Sequence, residues 1–386
     1  RTAAPPRRPV RGLIEEPARG SGHRARARWS GGGDAAHTGE PMTTETIRAS
    51  APLRISFVGG GTDFPHYYER HGGAVLSATI DHAAHVRVAP RDDRQVRIRS
   101  LDLGHLVEYH LERGPDYDGV MDLPKAAIER MGVRTGIDVD IASDAPPGSG
   151  LGGSSALVSA CVGALAMLTD RPMSRRGVAE LAYAIEREDL GVAGGWQDQY
   201  AAAFGGFNLL EFADDGVTVS PLELSLEAIG ELRSHLLLCY TGHVRTDLGL
   251  IAAQIRMYEE GREDTIVGMK QLHAMAYEMR HEIEAGNLDR LGALLREAFE
   301  SKKLMNPHIS EGTTIDQLLA VARDAGAAGG KICGAGGGGY LLLACEPERQ
   351  AAVREALEGV GGQFAAFAFR SHGVEARWGE RVWRPL

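Results

Sequence analysis

The chain has no surplus of positive charge: 42 Lys and Arg stand against 52 Asp and Glu, a formal net charge of −10. Nucleic acid and anionic membranes both need a basic footprint to displace counterions or to dock. Neither is therefore the expected partner, and a small molecule is. No stretch approaches the roughly 20 apolar residues that cross a bilayer. Cysteine is sparse, with Cys161, Cys239, Cys333 and Cys345 far apart and never in C-x-x-C. Each sits in an apolar or glycine-rich run, so buried reduced thiols are expected rather than disulfides or a metal site, which fits a cytoplasmic protein. Also missing is G-x-x-x-x-G-K-[ST], which excludes the standard P-loop.

Glycine is abundant, 50 of 386 residues, within a chain that is 43% hydrophobic. That length and composition predict a packed core and two domains. Residues 1–41 differ from the rest: they carry eight of the 42 basic residues, all arginine, and only four of the 52 acidic ones, with no apolar period. They read as an Arg/Gly/Pro-rich disordered extension, with Met42 the natural start; Glu15, Glu16 and the missing amphipathic stripe argue against a transit peptide. Alternation and β-branching predict strands at 53–58, 84–88, 94–99 and 137–141. Helices follow at 154–168 and 174–188, the latter capped by Ser174. A second half opens with the strand 236–240, continues through helices near 247–260, 264–285 and 287–303, and ends in strands around the glycine run and near 364–369. Strands then helices in each half, without strict alternation, predict α+β. The boundary falls near 213–230, which divides the folded part into 42–220 and 221–386.

Three glycine clusters carry the chemistry: Gly59-Gly60-Gly61-Thr62-Asp63, the stretch Pro146-Pro147-Gly148-Ser149-Gly150-Leu151-Gly152-Gly153-Ser154-Ser155, and Gly334-Ala335-Gly336-Gly337-Gly338-Gly339. Glycine lets backbone N–H groups approach an anion with no Cβ in the way. The second cluster runs straight into a helical segment whose free N–H groups and positive dipole end suit a phosphate. Ser154 and Ser155 add hydroxyls for a phosphate or Mg²⁺. Gly148, Gly150 and Gly153 also satisfy G-x-G-x-x-G, but two prolines interrupt the approach and no acid ends a following strand, so a dinucleotide fingerprint is rejected.

Glu186, Glu188, Asp189 and Asp198 crowd one segment. Phosphoryl transfer needs a carboxylate to hold Mg²⁺ and often another to orient the attacking hydroxyl. Glu188 and Asp189 read as solvated surface. Asp198 follows Gly194-Gly195-Trp196 and opens a helix of small residues, a packed setting in which a carboxylate needs a partner or a task.

In these residues the chain resembles the GHMP small-molecule kinases over nearly all of 47–386. Ala51 to Asp63 resembles the family's first motif, Pro146 to Ser155 its ATP loop, and Lys331 to Gly339 its third. The resemblance implies a two-domain fold, with an N-terminal domain like ribosomal protein S5 domain 2 and a ferredoxin-like C-terminal domain, ATP lying between them. It further implies that Pro147 to Ser155, Gly336 and Gly337 bind ATP and that Ser155 and Glu186 ligate Mg²⁺. Asp198 would be the catalytic base or orienter and Arg54 its electrostatic partner, while Gly60, Gly61, Thr62 and Asp63 would meet the sugar. The twelve-residue separation of Glu186 and Asp198 is similar to that of the galactokinase branch, although galactokinases carry a Glu-His pair where this chain has Gly60-Gly61. Residues 59–65 together with 193–208 are most similar to the branch acting on D-glycero-D-manno-heptose 7-phosphate. That similarity implies transfer of the ATP γ-phosphate to the anomeric hydroxyl. Lys303, with Lys302, Arg245 and His308, would receive the phosphate the sugar already carries. A kinase for fucose or a related sugar, and a sugar-sensing regulator of the same fold, are the alternatives; the retained Asp198 and serines favour catalysis.

Overall fold

In the computed structural model, which describes residues 46–243, 249–311 and 313–386, the apolar run at 53–58 is the second half of β1 (Ile47–Val58), buried on both faces from Ala51 onward. Proline has no N–H for a ladder and is tolerated inside a sheet only at an irregularity. At Pro52 the register between β1 and β2 (Gly73–Arg91) shifts before it resumes at Arg54, and a bulge of this kind re-aims the side chain that comes after it. The expected strand at 84–88 is thus one part of a far longer β2. Its first half pairs with β6 (Phe207–Ala213) and its second with β5 (Gly136–Ser143), so a single strand serves two neighbours on one edge.

Among the described residues the first sheet has nine strands. These include β3 (Gln95–Ser100), β4 (Leu106–His110) and β7 (Gly216–Pro221), in the order β13-β12-β1-β2-β5-β3-β4 with β6 and β7 branching from β2. The second sheet has the order β11-β8-β10-β9, formed by β8 (Leu236–Tyr240), β9 (Gly329–Ile332), β10 (Tyr340–Ala344) and β11 (Gln363–Ala365). An antiparallel order of last, first, third, second is the ferredoxin-like arrangement. The division at 221 needs one correction. β12 (Glu375–Trp378) pairs with β1, and β13 (Arg381–Trp383) pairs with β12, so the chain end returns to the first sheet. The physical reason is apolar: Val374 and Trp383 pack against Gly163 in the long buried helix under that sheet.

That helix is α3 (Gly153–Leu168), preceded by α1 (Pro65–His71) and α2 (Asp122–Arg130) and followed by α4 (Arg175–Tyr183) and α5 (Gln197–Phe204). α3 is apolar on nearly every side, the signature of a helix enclosed by protein. The second half supplies α6 (Leu226–Ser234), α7 (Gly249–Glu259), α8 (Glu263–Glu284), α9 (Leu288–Met305), α10 (Ile315–Asp324) and α11 (Gln350–Glu358). One hydrophobic cluster runs from Phe57 and Leu76 through Leu272 and Met279 to Leu342, so the halves share a core; a smaller one lies around Leu237, Ile315, Leu341 and Val353. All four cysteines are buried and free. Among the described residues no helix is long and apolar enough to cross a membrane. Residues 1–41 and Arg245 lie outside the described residues.

Candidate active site

The second glycine cluster ends where α3 begins, and Gly153, Ser154 and Ser155 form its first turn. Helix geometry gives the N–H groups of a first turn no internal acceptor, which leaves donors and a positive dipole end for an anion. The two serines part company here. Ser154 is exposed, whereas Ser155 is fully buried and its hydroxyl donates to Glu186 Oε2 at 2.6 Å.

The third cluster holds this loop from behind. Gly150 has φ +81°, and a Cβ there would stand 2.5 Å from the Cys333 carbonyl oxygen, so only glycine fits. Tyr340 N–H donates to Ser149 O at 3.0 Å. The contacts to the loop therefore come from Cys333, Gly334, Gly339 and Tyr340. Gly336 stands against Ile309, and Gly337 N–H donates to Ile309 O at 2.7 Å.

The first cluster's strand supplies Arg54 from beyond the Pro52 bulge. Its N–H bonds Leu151 O at 2.9 Å, its Nη1 bonds Gly150 O at 2.6 Å, and its Nη2 lies 2.6 Å from Asp198 Oδ1. One arginine thus ties the glycine-rich loop to the carboxylate expected to act on the acceptor. Arg54 is almost wholly buried while Asp198 keeps partial exposure, so the pair faces solvent through the carboxylate.

Asp198 is the middle of three successive polar residues in the first turn of α5. Residues one apart on a helix point about 100° apart, and each of these addresses a different partner. Gln197 bonds Asp63 through its backbone N–H at 3.1 Å and its amide at 3.2 Å, Asp198 meets Arg54, and Gln199 donates to Glu186 Oε2 at 2.5 Å. Sequence reasoning passes over both glutamines. The signal is present in the run Gln197-Asp198-Gln199, three polar side chains opening an otherwise small and apolar helix.

Glu186 reaches Ser155 because the expected helix 174–188 does not stay α-helical. α4 ends at Tyr183 and a π-helical turn spans Ala184–Asp189. The wider turn adds a residue per cycle and is found most often at functional positions. Here it carries Glu186 inward to full burial and leaves Glu188 and Asp189 outside, with Asp189 2.6 Å from Arg130. The hydrogen-bond partners of Glu186 are neutral, and its Oε1 has none. A buried carboxylate without a cationic partner is costly unless a cation arrives with the ligand.

Other expected residues lie differently. The Thr62 hydroxyl lies 2.8 Å from Gly59 O and 3.0 Å from Ala74 O, with one proton to share between them, and accepts from Ala74 N–H at 3.1 Å. Asp63 is buried and accepts from Gly61 N–H at 2.9 Å as well as from Gln197. Burial raises the Asp63 pKa against these hydrogen bonds. Both side chains are buried and bond within the turn or to α5. Lys303 is not brought to this group: its ammonium sits 2.9 Å from Glu300 and 3.5 Å from Asp316, over the Phe299 ring. Its neighbour Lys302 is buried and donates to Gly334 O in the third cluster. His308 is exposed beside Glu311.

Lys331, which opens the third motif, is a buried cation to which sequence reasoning gives no role. Its Nζ donates to Ser56 O at 2.7 Å and so joins β9 to β1 across the two halves. Burial pushes the ammonium down from 10.5 to about 8. Between those values the unfolded chain binds the proton more readily than the folded one, so this group makes stability rise with pH across that window. In thermal melts from pH 8 to 10.5, the stability of the wild type relative to Lys331→Met is expected to increase. A difference flat in pH would show that Lys331 titrates normally.

Comparison with known proteins decides the family. The description "GHMP kinases N terminal domain" matches residues 120–206, and "GHMP kinases C terminal" matches 279–362. A D-glycero-α-D-manno-heptose 7-phosphate kinase of Campylobacter jejuni is 33% identical over 342 residues, which cover 86% of this chain and 99% of that protein. This chain is a GHMP kinase. A crystal structure of a D-glycero-D-manno-heptose 1-phosphate kinase from Bacteroides thetaiotaomicron superposes with a TM-score of 0.71 at 30% identity, over 86% of this chain and 98% of the other. The Lactococcus lactis galactokinase complexed with galactose shares the fold, with a TM-score of 0.70 at 22% identity over 86% and 95% of the two chains. As a GHMP kinase the protein is a phosphotransferase acting on a hydroxyl group; its second and third glycine clusters meet at Gly150, which Arg54 also bonds, and the first is joined to α5 through Asp63 and Gln197.

Proposed function

We propose that the protein transfers the γ-phosphate of ATP to the anomeric hydroxyl of D-glycero-D-manno-heptose 7-phosphate, giving the 1,7-bisphosphate. The observation that carries this reading is the Arg54–Asp198 pair fastened by Arg54 to the phosphate loop at Gly150. A carboxylate and a guanidinium at the mouth of an anion-binding helix end are what transfer to a hydroxyl requires. The acceptor oxygen forms its bond to the γ-phosphorus as the bond to the β–γ bridging oxygen breaks. Asp198 orients the hydroxyl and accepts its proton, while Arg54 offsets negative charge on the transferred group. The first-turn N–H groups of α3 hold phosphate oxygens.

Ser155 and Glu186 are the residues that would hold Mg²⁺. They fit a hard, oxygen-seeking cation: a hydroxyl and a carboxylate in contact, with one carboxylate oxygen free and the charge uncompensated. Such an ion would come with the nucleotide phosphates it accompanies. When bound, the ion neutralises charge on those phosphates.

Similarity to the C. jejuni enzyme over most of both chains supports the heptose phosphate as acceptor. Phosphorus NMR of the full chain with ATP and Mg²⁺ tests this, using heptose 7-phosphate beside unphosphorylated heptose, mannose and fucose. A new anomeric phosphate signal with the heptose phosphate alone is the expected result. Turnover of a free sugar instead would move the assignment to another sugar kinase, and none with any acceptor while ATP binds would favour a sensor.

A further inference from the structure

We propose that Gln254 is a specificity-determining residue, whose side-chain amide, carried on α7, bonds a hydroxyl of the acceptor sugar at the Gly60-Gly61 turn. This rests on the sugar-phosphate kinase reading above and deepens it.

Gln254 occupies a position where α7 should be apolar. Leu250, Gln254, Met257 and Tyr258 form its buried stripe, at the spacing of a helix face turned to a core. Gln254 is 6% exposed, yet its Nε2 has no hydrogen-bond partner. Nearly all buried polar atoms in native proteins are partnered, and one that is not calls for an explanation. The amide stands at the first glycine motif. A Cβ on Gly61 would lie 2.7 Å from Gln254 Nε2 and 2.8 Å from Met305 Sδ. The space a residue 61 side chain would fill is therefore filled from the other half of the chain, and φ +106° at Gly61 disfavours any side chain there.

The turn is reached from α5 as well. A Cβ on Gly60 would meet the Gln197 amide at 3.2 Å, and the residue after Gln197 is Asp198. Gln254 and Gln197 thus approach one turn from α7 and from α5, and the helix that brings Gln197 also carries Asp198. The helix that carries the Gln254 amide is anchored: Asn306, buried at the end of α9, donates to Leu250 O at 3.0 Å and so ties the first turn of α7 to α9. A donor carried on an anchored helix, desolvated and unmatched, suits an acceptor oxygen that comes with the substrate. A neutral amide suits a sugar hydroxyl, whereas a phosphate oxygen calls for a cation.

The test compares the full-length wild type with Gln254→Leu and Gln254→Asn, using ATP, Mg²⁺ and heptose 7-phosphate. Leucine keeps the volume and removes the amide, and asparagine keeps the amide but withdraws it by one methylene. Both should raise KM for the acceptor about tenfold, with kcat and KM for ATP within about twofold, because a contact made equally in ground and transition states is lost. The melting temperature of Gln254→Leu should hold or rise, since an unmatched buried polar group is removed. An unchanged acceptor KM alongside a raised melting temperature would overturn the proposal and make Gln254 a packing residue, as would an equal rise in KM for ATP. If the leucine variant does not fold, the asparagine variant decides alone. Failure of the sugar-phosphate reading appears in the wild type, which would not phosphorylate heptose 7-phosphate; failure of this inference appears only in the ratio of variant to wild type. If the wild type phosphorylates another sugar of the panel, the same ratio is taken with that sugar.

Discussion

Asp198→Asn is expected to lower kcat by about 10²–10⁴-fold, the usual contribution of a positioned acid or base, with little change in ATP affinity. Asparagine matches the shape of aspartate and keeps an oxygen for the Arg54 guanidinium 2.6 Å away. It cannot take a proton at neutral pH, and it removes the negative end of the ion pair. Arg54 retains its bond to Gly150 O, so the phosphate loop keeps its form and ATP its site. Steady-state kinetics beside a nucleotide-binding titration check both halves of the statement. Near-wild-type turnover by a folded variant would remove Asp198 from the chemistry.

Glu186 carries the second large effect. Glu186→Ala should abolish turnover at ordinary magnesium concentrations, with partial recovery as Mg²⁺ is raised. The half-saturating Mg²⁺ should increase by no less than the roughly 10–100-fold typical when a supporting group of a metal site is lost. The alanine also leaves Ser155 and Gln199 in a fully buried pocket without their common acceptor, and each such group costs about 1–3 kcal/mol. Glu186→Gln is the control, since it keeps an acceptor and the side-chain volume while losing the charge. Turnover titrated against Mg²⁺ in both variants, with thermal melts alongside, separates the metal from the fold. If the glutamine variant melts as the wild type does and shows no shift in its magnesium dependence, Glu186 is a structural residue.

Much of the site is legible from local pattern. Glycine clusters are readable because close backbone approach and positive φ are properties of single residues and their immediate chain neighbours. The run into α3, the order of three clusters and the packed setting of Asp198 all belong to that class. The choice of Glu186 over Glu188 rests on a resemblance to the galactokinase branch in the separation from Asp198, and the structure separates the two by burial: one meets Ser155 and the other faces outward beside Arg130. Pattern could not show the π turn that brings this about, because a single widened turn leaves almost no trace in an apolar period.

The strands are less legible for a related reason. Only a part of β2 stands out in the sequence, since the remainder, buried on both faces, has no alternation to read. β12 and β13 escape because two strands of four and three residues acquire meaning only from their place in the sheet, which β12 takes beside β1 from the other end of the chain. Lys331 and Gln254 escape by the same logic. A lysine beside glycines and a glutamine in a helix look like surface until distant residues enclose them.

By itself, then, the sequence determined the α+β class, the glycine-rich loop at the start of α3 and the residues proposed to run the chemistry, because each depends on neighbours within a few residues. Tertiary structure alone decided which of those groups meet. The Pro52 bulge turns Arg54 onto Gly150, consecutive residues of α5 fan out to Asp63, Arg54 and Glu186, and α7 delivers an amide to Gly61. Most of these contacts join segments far apart in the chain, and burial, which no local pattern encodes, then gives each pairing its chemical weight by stripping away the water that would otherwise weaken it.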